Sequence, residues 1–382
     1  MRVALVFDDL IQVGGAEKLL LALHELYPTA PIYTSVASEA WLQRCAFLGI
    51  NLKTSRMQSL PFKLRLNRFY GLLGLHALAF ESFNFDEYDV VLSLSARFAH
   101  GIITKPGTVH VCYMNSPGRM FWEPWDYFAR EGLLAGFLGH KLVALSGVLL
   151  AFRRLADYVA AQRVDYFIAN ALTPQARIAK YYRRSSKVIY PFAAECVAQD
   201  CVSAPAVAVE PYFVVVTRLA AWKRVDLAIA ACKQVGVKLK IIGAGPDRRR
   251  LESVALGAAA GQVEFLGHVS EQTKCLVLGN CQALIMTQKE DFGLTALEAM
   301  ALGKPVIAYR AGGALETVLE GVTGEFFTAQ ETSSLAETLV RFKVHSYNPN
   351  DCKQQAGKFT KSGFMLAVDE FVKKVYDERY SL

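Results

Sequence analysis

In the second half of the chain, five short apolar runs (212–217, 238–242, 263–266, 283–286 and 305–309) alternate with segments of helical periodicity. Parallel strands cannot be joined by tight turns; each needs a long crossover, usually a helix. The alternation therefore predicts a parallel α/β sheet that takes ligands at its strand C-terminal ends. The first half has the same rhythm, with strand candidates at 3–7, 31–35, 90–93, 109–113, 166–169 and 187–190. Between the halves, 193–211 is rich in Ala, Val and Ser, contains two prolines and lacks helical periodicity, so it reads as a linker. A chain of 382 residues can bury two full cores. The expected fold is α/β, with two Rossmann-like parallel-sheet domains facing a cleft, at 1–195 and 196–362. In the remaining segment, 363–382, Phe364, Val368, Phe371, Val372 and Val375 share a helical face that could cap either domain.

Hydrophobic content of 53% against 20% charged residues excludes a disordered chain. The first apolar run is short and ends in Asp8-Asp9, which makes a buried strand rather than a signal peptide. The eight cysteines have neither C-x-x-C pairing nor metal spacing, so reduced thiols and a cytoplasmic location are expected. Charge is uneven: residues 1–190 hold 21 Lys and Arg against 14 Asp and Glu, whereas 191–382 hold 21 of each. Within 51–80, Lys53, Arg56, Lys63, Arg65 and Arg68 interleave with Leu52, Met57, Leu60, Phe62, Leu64, Leu66, Phe69 and Tyr70, and no acid intervenes before Glu81. Such a stretch can lie on an anionic membrane surface, which would make the protein peripheral on the inner face, or it can be a solvated basic face. The apolar run 132–152 carries Lys141 near its middle and reads as a buried or interfacial helix, not a span.

Four constellations carry chemistry. Glu290-Asp291-Phe292-Gly293-Leu294-Thr295-Ala296-Leu297-Glu298 sets two carboxylates eight residues apart around a glycine turn and a helix start. A helix N-terminus offers unpaired N–H groups to phosphate, and carboxylates accept hydrogen bonds from sugar hydroxyls. Gly293, Leu294 and Thr295 are the phosphate candidates; Glu290 and Glu298 are the hydroxyl acceptors. Arg218 and Lys223 follow the run 212–217, where loop cations meet ligands, and Arg218 can clamp phosphate through two N–H groups. Arg224 opens the next helix and reads as structural or solvated. Gly14-Gly15 at the first strand–helix turn lets backbone approach a ligand. Gly243 and Gly245 form a similar turn, read equally as a plain connection, and Phe265 and Leu266 could lie against a nucleotide base. Asp8-Asp9 is not read as a metal site, and no metal or other cofactor is expected.

Together these elements resemble glycosyltransferases of the GT-B fold, family 4 (group 1). The family's G-R-L-x-x-x-K-R-x-D element stands here as Thr217-Arg218-Leu219-Ala220-Ala221-Trp222-Lys223-Arg224-Val225-Asp226, and its paired glutamates as Glu290 and Glu298. The segment Tyr113-Met114-Asn115-Ser116-Pro117-Gly118-Arg119-Met120-Phe121-Trp122 is similar to one in WbaZ-type mannosyltransferases, with Asn115 in place of the family histidine. The resemblance implies that Arg218 and Lys223 hold the donor diphosphate, Glu290 the transferred sugar and Glu298 the ribose. It assigns Gly14, Gly15, Asn115 and Arg119 to the phosphate and acceptor side, and it brings the last helix back to the N-terminal domain. The implied activity is metal-independent, retaining transfer of a hexose, mannose from GDP-mannose, to a saccharide or lipid-linked saccharide in polysaccharide or O-antigen-type synthesis. Nucleic acid is not an expected partner. A GT-B nucleotide-sugar epimerase and a non-catalytic nucleotide-sugar binder, the latter suggested by Asn115, are the alternatives.

Overall fold

The computed structural model describes residues 1–12, 14–124, 140–193 and 211–380. The expected linker lies almost wholly outside the described residues, as does the start of the apolar run 132–152. The chain divides into two compact units. The first takes the chain up to Pro191 and again from Lys361; the second takes Phe192–Thr360.

In the first unit, β1 (Val3–Phe7), β2 (Ile32–Thr34), β3 (Leu52–Thr54), β4 (Val90–Ser95), β5 (Val109–Met114), β6 (Tyr166–Ala169) and β7 (Ser186–Val188) form one parallel sheet. Its order is β3-β2-β1-β4-β5-β6-β7. The central strands β1, β4 and β5 are buried throughout, as expected of a sheet covered on both faces. The helix Lys361–Tyr380 buries Phe364, Val368, Val372 and Val375 in this unit, and its Phe364 ring meets Tyr113 edge-on at 5.6 Å.

The second unit holds β8 (Tyr212–Val216), β9 (Lys238–Ile242), β10 (Val263–Gly267), β11 (Leu284–Met286), β12 (Val306–Tyr309) and β13 (Gly324–Phe327). These too are parallel, in the order β10-β9-β8-β11-β12-β13. Phe213, Val215, Ile241, Ile285 and Ile307 from the strands pack with Ala228, Leu335 and Leu339 from the flanking helices.

Two strands were invisible to periodicity. Leu52–Thr54 is only three residues long and sits within the basic stretch; Gly324–Phe327 begins at a glycine. Gly324 is required there, because a Cβ would stand 2.0 Å from the Val306 carbonyl oxygen on the neighbouring strand. The stretch 51–80 is consequently not one amphipathic helix. It runs through β3, a 3-10 turn at Arg56–Ser59 and the helices Asn67–Leu73 and Leu75–Glu81, with left-handed backbone at Phe62 and Gly74. Among the described residues no helix is long and apolar enough to cross a membrane. Cys45, Cys112, Cys232, Cys281 and Cys352 are buried free thiols. Cys275 is disulfide-bonded, contrary to the expectation of eight thiols; pairing depends on which cysteines the fold brings within reach, and spacing does not reveal that.

Candidate functional site

The strand order creates the site of the second unit. From β8 the chain moves outward to β9 and β10, then returns to lay β11 against the other side of β8. The loops after β8 and β11 therefore leave in opposite senses and open a crevice at their C-terminal ends, where α/β sheets bind ligands. Lys223 ends the 3-10 turn Ala221–Lys223 on the first loop, and Glu290 lies on the second. Lys223 Nζ donates to Glu290 Oε1, and Gln288 Nε2 donates to the same oxygen at 2.8 Å. Thr287 Oγ1 donates to the Lys223 carbonyl at 2.9 Å, fastening one loop to the other. The Lys223 ammonium also sits 4.0 Å from the Trp222 ring centroid, a cation–π contact.

Arg218 is exposed one residue beyond Thr217 and makes no ion pair among the described residues. Arg224 instead pairs with Asp226 at 3.3 Å, and Asp226 lies 3.6 Å from Arg250, a surface network that fits its structural reading. Gly293 adopts φ +93°, a left-handed conformation that glycine tolerates best, and delivers the chain into the helix Leu294–Ala301. A Cβ there would also come within 2.9 Å of Met286 Cε. The first-turn N–H groups of Leu294 and Thr295 have no preceding helical turn to bond with.

Glu298 is buried on that helix and pairs with Lys274 at 3.1 Å, from the helix Glu271–Asn280. Burial pushes the Lys274 pKa down, but Glu298 and Glu271 more than offset this and hold it above its usual value. Sequence reading missed Lys274, since nothing local marks which of many lysines meets a given glutamate. It also missed Gly312 and Gly313. Gly313 N–H donates to the Glu290 carbonyl at 3.0 Å, and added Cβ atoms would stand 2.1 Å from that oxygen at Gly312 and 2.3 Å from Phe292 backbone at Gly313. These glycines let the β12 loop press against the Glu290 loop and fix it. Gly243 and Gly245 do the same against the β8 loop, where added Cβ atoms would stand 1.9 Å from Thr217 O and 2.1 Å from Leu219 O. Their role is loop packing, which accounts for them without a ligand. Phe265 and Leu266 are half-buried on the edge strand β10, with Phe265 packed against the core.

In the first unit the same reversal occurs between β1 and β4. Asp8 accepts from the N–H groups of Ala96, Phe98 and Ala99 at 2.7–2.8 Å, while Asp9 accepts from Arg97 and from Asn67 at 3.0 Å. Gly14, in extended conformation, caps the helix Gly15–Leu26. Glu17 folds back onto this turn, 3.1 Å from where a Gly14 Cβ would be. Its burial, with a smaller contribution from Asp9, raises its pKa from the ordinary 4.5 to about 7.

Asn115 follows β5; its N–H donates to Ser95 O at 2.8 Å and its Oδ1 accepts from Asn170 at 3.4 Å. Arg119 meets Glu123 at 3.3 Å, which Arg177 also holds at 2.7 Å. Trp122, at the end of that segment, donates to Asp157 at 2.6 Å and stacks on Tyr181. His110 does not substitute for a histidine at position 115: it is buried against Ser93 at 2.8 Å, and burial lowers its pKa to about 3. His100 is buried too, 3.3 Å from Asp157.

Residues 204–359 match the family model described as glycosyl transferases group 1. An uncharacterized glycosyltransferase of Methanocaldococcus jannaschii is 29% identical over 41% of this chain and 45% of its own length. The alpha-1,3/1,6-mannosyltransferase of Dictyostelium discoideum is 35% identical over 30% of this chain and 28% of its own. The chain thus spans less than half the length of these curated relatives. Among solved structures, Anabaena HepE in complex with UDP is similar at 20% identity and TM-score 0.68, covering 98% of this chain and 100% of that one. Sucrose-phosphate synthase from Thermosynechococcus elongatus reaches TM-score 0.74 at 16% identity, over 99% and 100%. The two parallel-sheet units accordingly have the GT-B fold, and residues 204–359 match the domain of the glycosyl transferases group 1.

Proposed function

We propose that this protein is a retaining glycosyltransferase that moves a hexose, mannose from GDP-mannose, to a saccharide or lipid-linked saccharide acceptor. The observation that carries the reading is the meeting of Lys223 and Glu290 at the β8/β11 reversal, beside the Gly293 helix start. A diphosphate leaving group develops negative charge as the sugar departs. Arg218, Lys223 and the N–H groups of Leu294 and Thr295 are the donors that stabilise it electrostatically. Without ligand, Glu290 neutralises Lys223; a diphosphate would draw the ammonium toward itself and free Glu290 to accept from the sugar hydroxyls. Glu298, oriented by Lys274, keeps lone pairs for the ribose hydroxyls. The acceptor attacks from the face the leaving group vacates, and the departing phosphate takes its proton. Cations and a helix start supply the stabilisation, so the reading requires no metal.

Donor identity is tested by a thermal-shift screen against GDP-, UDP-, ADP- and dTDP-sugars. GDP-mannose should raise the melting temperature most, and a larger shift with a UDP-sugar would replace the donor. The first unit is further proposed to meet an anionic membrane through the basic stretch, where Phe62, Leu64 and Phe69 are exposed. Co-sedimentation with anionic vesicles should be lost when Lys63, Arg65 and Arg68 are all replaced by Gln. Undiminished binding would sink that surface.

A further inference from the structure

The helix His140–Gln162 turns an apolar row outward: Val148, Phe152, Leu155 and Val159 are 54%, 66%, 59% and 46% exposed. Their spacing of four, three and four places them on one stripe of the helix. Beside it lies the helix Leu75–Glu81, and a groove of about 350 Å³ runs along the pair. Ala77, Phe98, Phe121, Phe152, Leu155 and Val159 supply its apolar wall. Pockets for small molecules begin at about this size.

The charges in the groove are unevenly answered. Arg163 pairs with Glu81 at 2.6 Å, Arg97 pairs with Asp9, and Asp157 receives Trp122 at 2.6 Å and Tyr182 at 2.8 Å. Arg153 has no carboxylate partner among the described residues. Its Nε donates to the Leu72 carbonyl at 2.8 Å, and its terminal nitrogens lie over Gly74, where a Cβ would come within 2.1 Å. Burial pushes its pKa below the usual value, yet a guanidinium remains charged at any physiological pH. A fixed cation with no carboxylate beside it among the described residues, next to an apolar groove, complements a molecule with an anionic head and a hydrocarbon tail. Leu78, Leu73 and Phe69, in the basic stretch 51–80, are exposed as well.

We propose that this groove binds a single anionic amphiphile, with its hydrocarbon chain along Phe152, Leu155 and Val159 and its phosphate at Arg153. Identifying that amphiphile as the lipid portion of the acceptor rests on the functional reading above; the binding site itself does not.

The test uses the full chain and dodecyl phosphate below its micelle concentration, followed by calorimetry, with dodecanol and inorganic phosphate as separate probes. Dodecyl phosphate should bind at least tenfold more tightly than either probe. The double variant Phe152→Ser/Leu155→Ser should lose at least tenfold in affinity; both positions are exposed, so folding is not at stake. Arg153→Gln should reduce affinity for dodecyl phosphate but not for dodecanol. Unchanged affinity in the double variant would overturn the site, as would self-association through the stripe with no amphiphile binding. Transfer to a tailless saccharide acceptor should be equal in parent and double variant. If dodecyl phosphate binds as described while no acceptor is glycosylated, the groove stands and the transferase reading falls.

Discussion

Replacing Lys223, Glu290 or Arg218 by alanine lowers turnover by about 10² or more each, the usual loss when an electrostatic stabiliser of a developing charge is removed. Lys223 and Glu290 share a hydrogen bond, so their effects should not add. Losing Lys223 leaves a partly buried carboxylate facing an incoming diphosphate, and losing Glu290 leaves a cation with only the phosphate to bind. Lys223→Ala should therefore raise the KM for donor as well as lower kcat, whereas Glu290→Ala acts mainly on kcat. The Lys223→Ala/Glu290→Ala double variant should be closer to the worse single variant than to their product. Initial rates over a range of donor concentrations decide it, and full activity in any single variant removes that residue from the mechanism.

Glu17→Gln makes the protein more stable at pH 8 and changes little at pH 5. Glu17 is 3% exposed and its carboxyl holds its proton up to about pH 7, against an ordinary value of 4.5 in the unfolded chain. Between those values the folded state binds the additional proton, so this contribution to stability is fully present below about pH 4.5 and is lost as pH rises through about 7. The shift corresponds to about 3 kcal/mol at most, which is a large share of a typical domain's stability. Glutamine keeps an acceptor oxygen for the Gly14 turn and carries no charge to desolvate. Urea unfolding midpoints at pH 5 and pH 8 for both proteins measure the difference. Parallel pH dependence in parent and variant would show that Glu17 ionises without penalty.

Most of the second unit was legible because its strands lie within four- to six-residue apolar runs separated by helices, and each strand pairs with its neighbours in parallel register. Of the strands that escaped, β3 sits inside the basic stretch and β13 begins at a glycine, and neighbouring strands rather than their own sequence define them. The basic stretch was legible as composition but not as shape. Left-handed backbone breaks it at the exposed Phe62 and at Gly74, which caps the helix Asn67–Leu73 and lies under the Arg153 side chain.

By itself the sequence determined the α/β class, the strand–helix alternation, and the residue types able to hold phosphate and sugar, since backbone geometry and side-chain chemistry are local properties. The tertiary structure decided the rest. Strand order set β8 beside β11 and so brought Lys223 to Glu290 across 67 residues. Helix packing paired Glu298 with Lys274, and close loop contact required glycine at 312 and 313. Contacts between distant segments depend on which strands pair, and a strand's own pattern states that it pairs without stating with which neighbour.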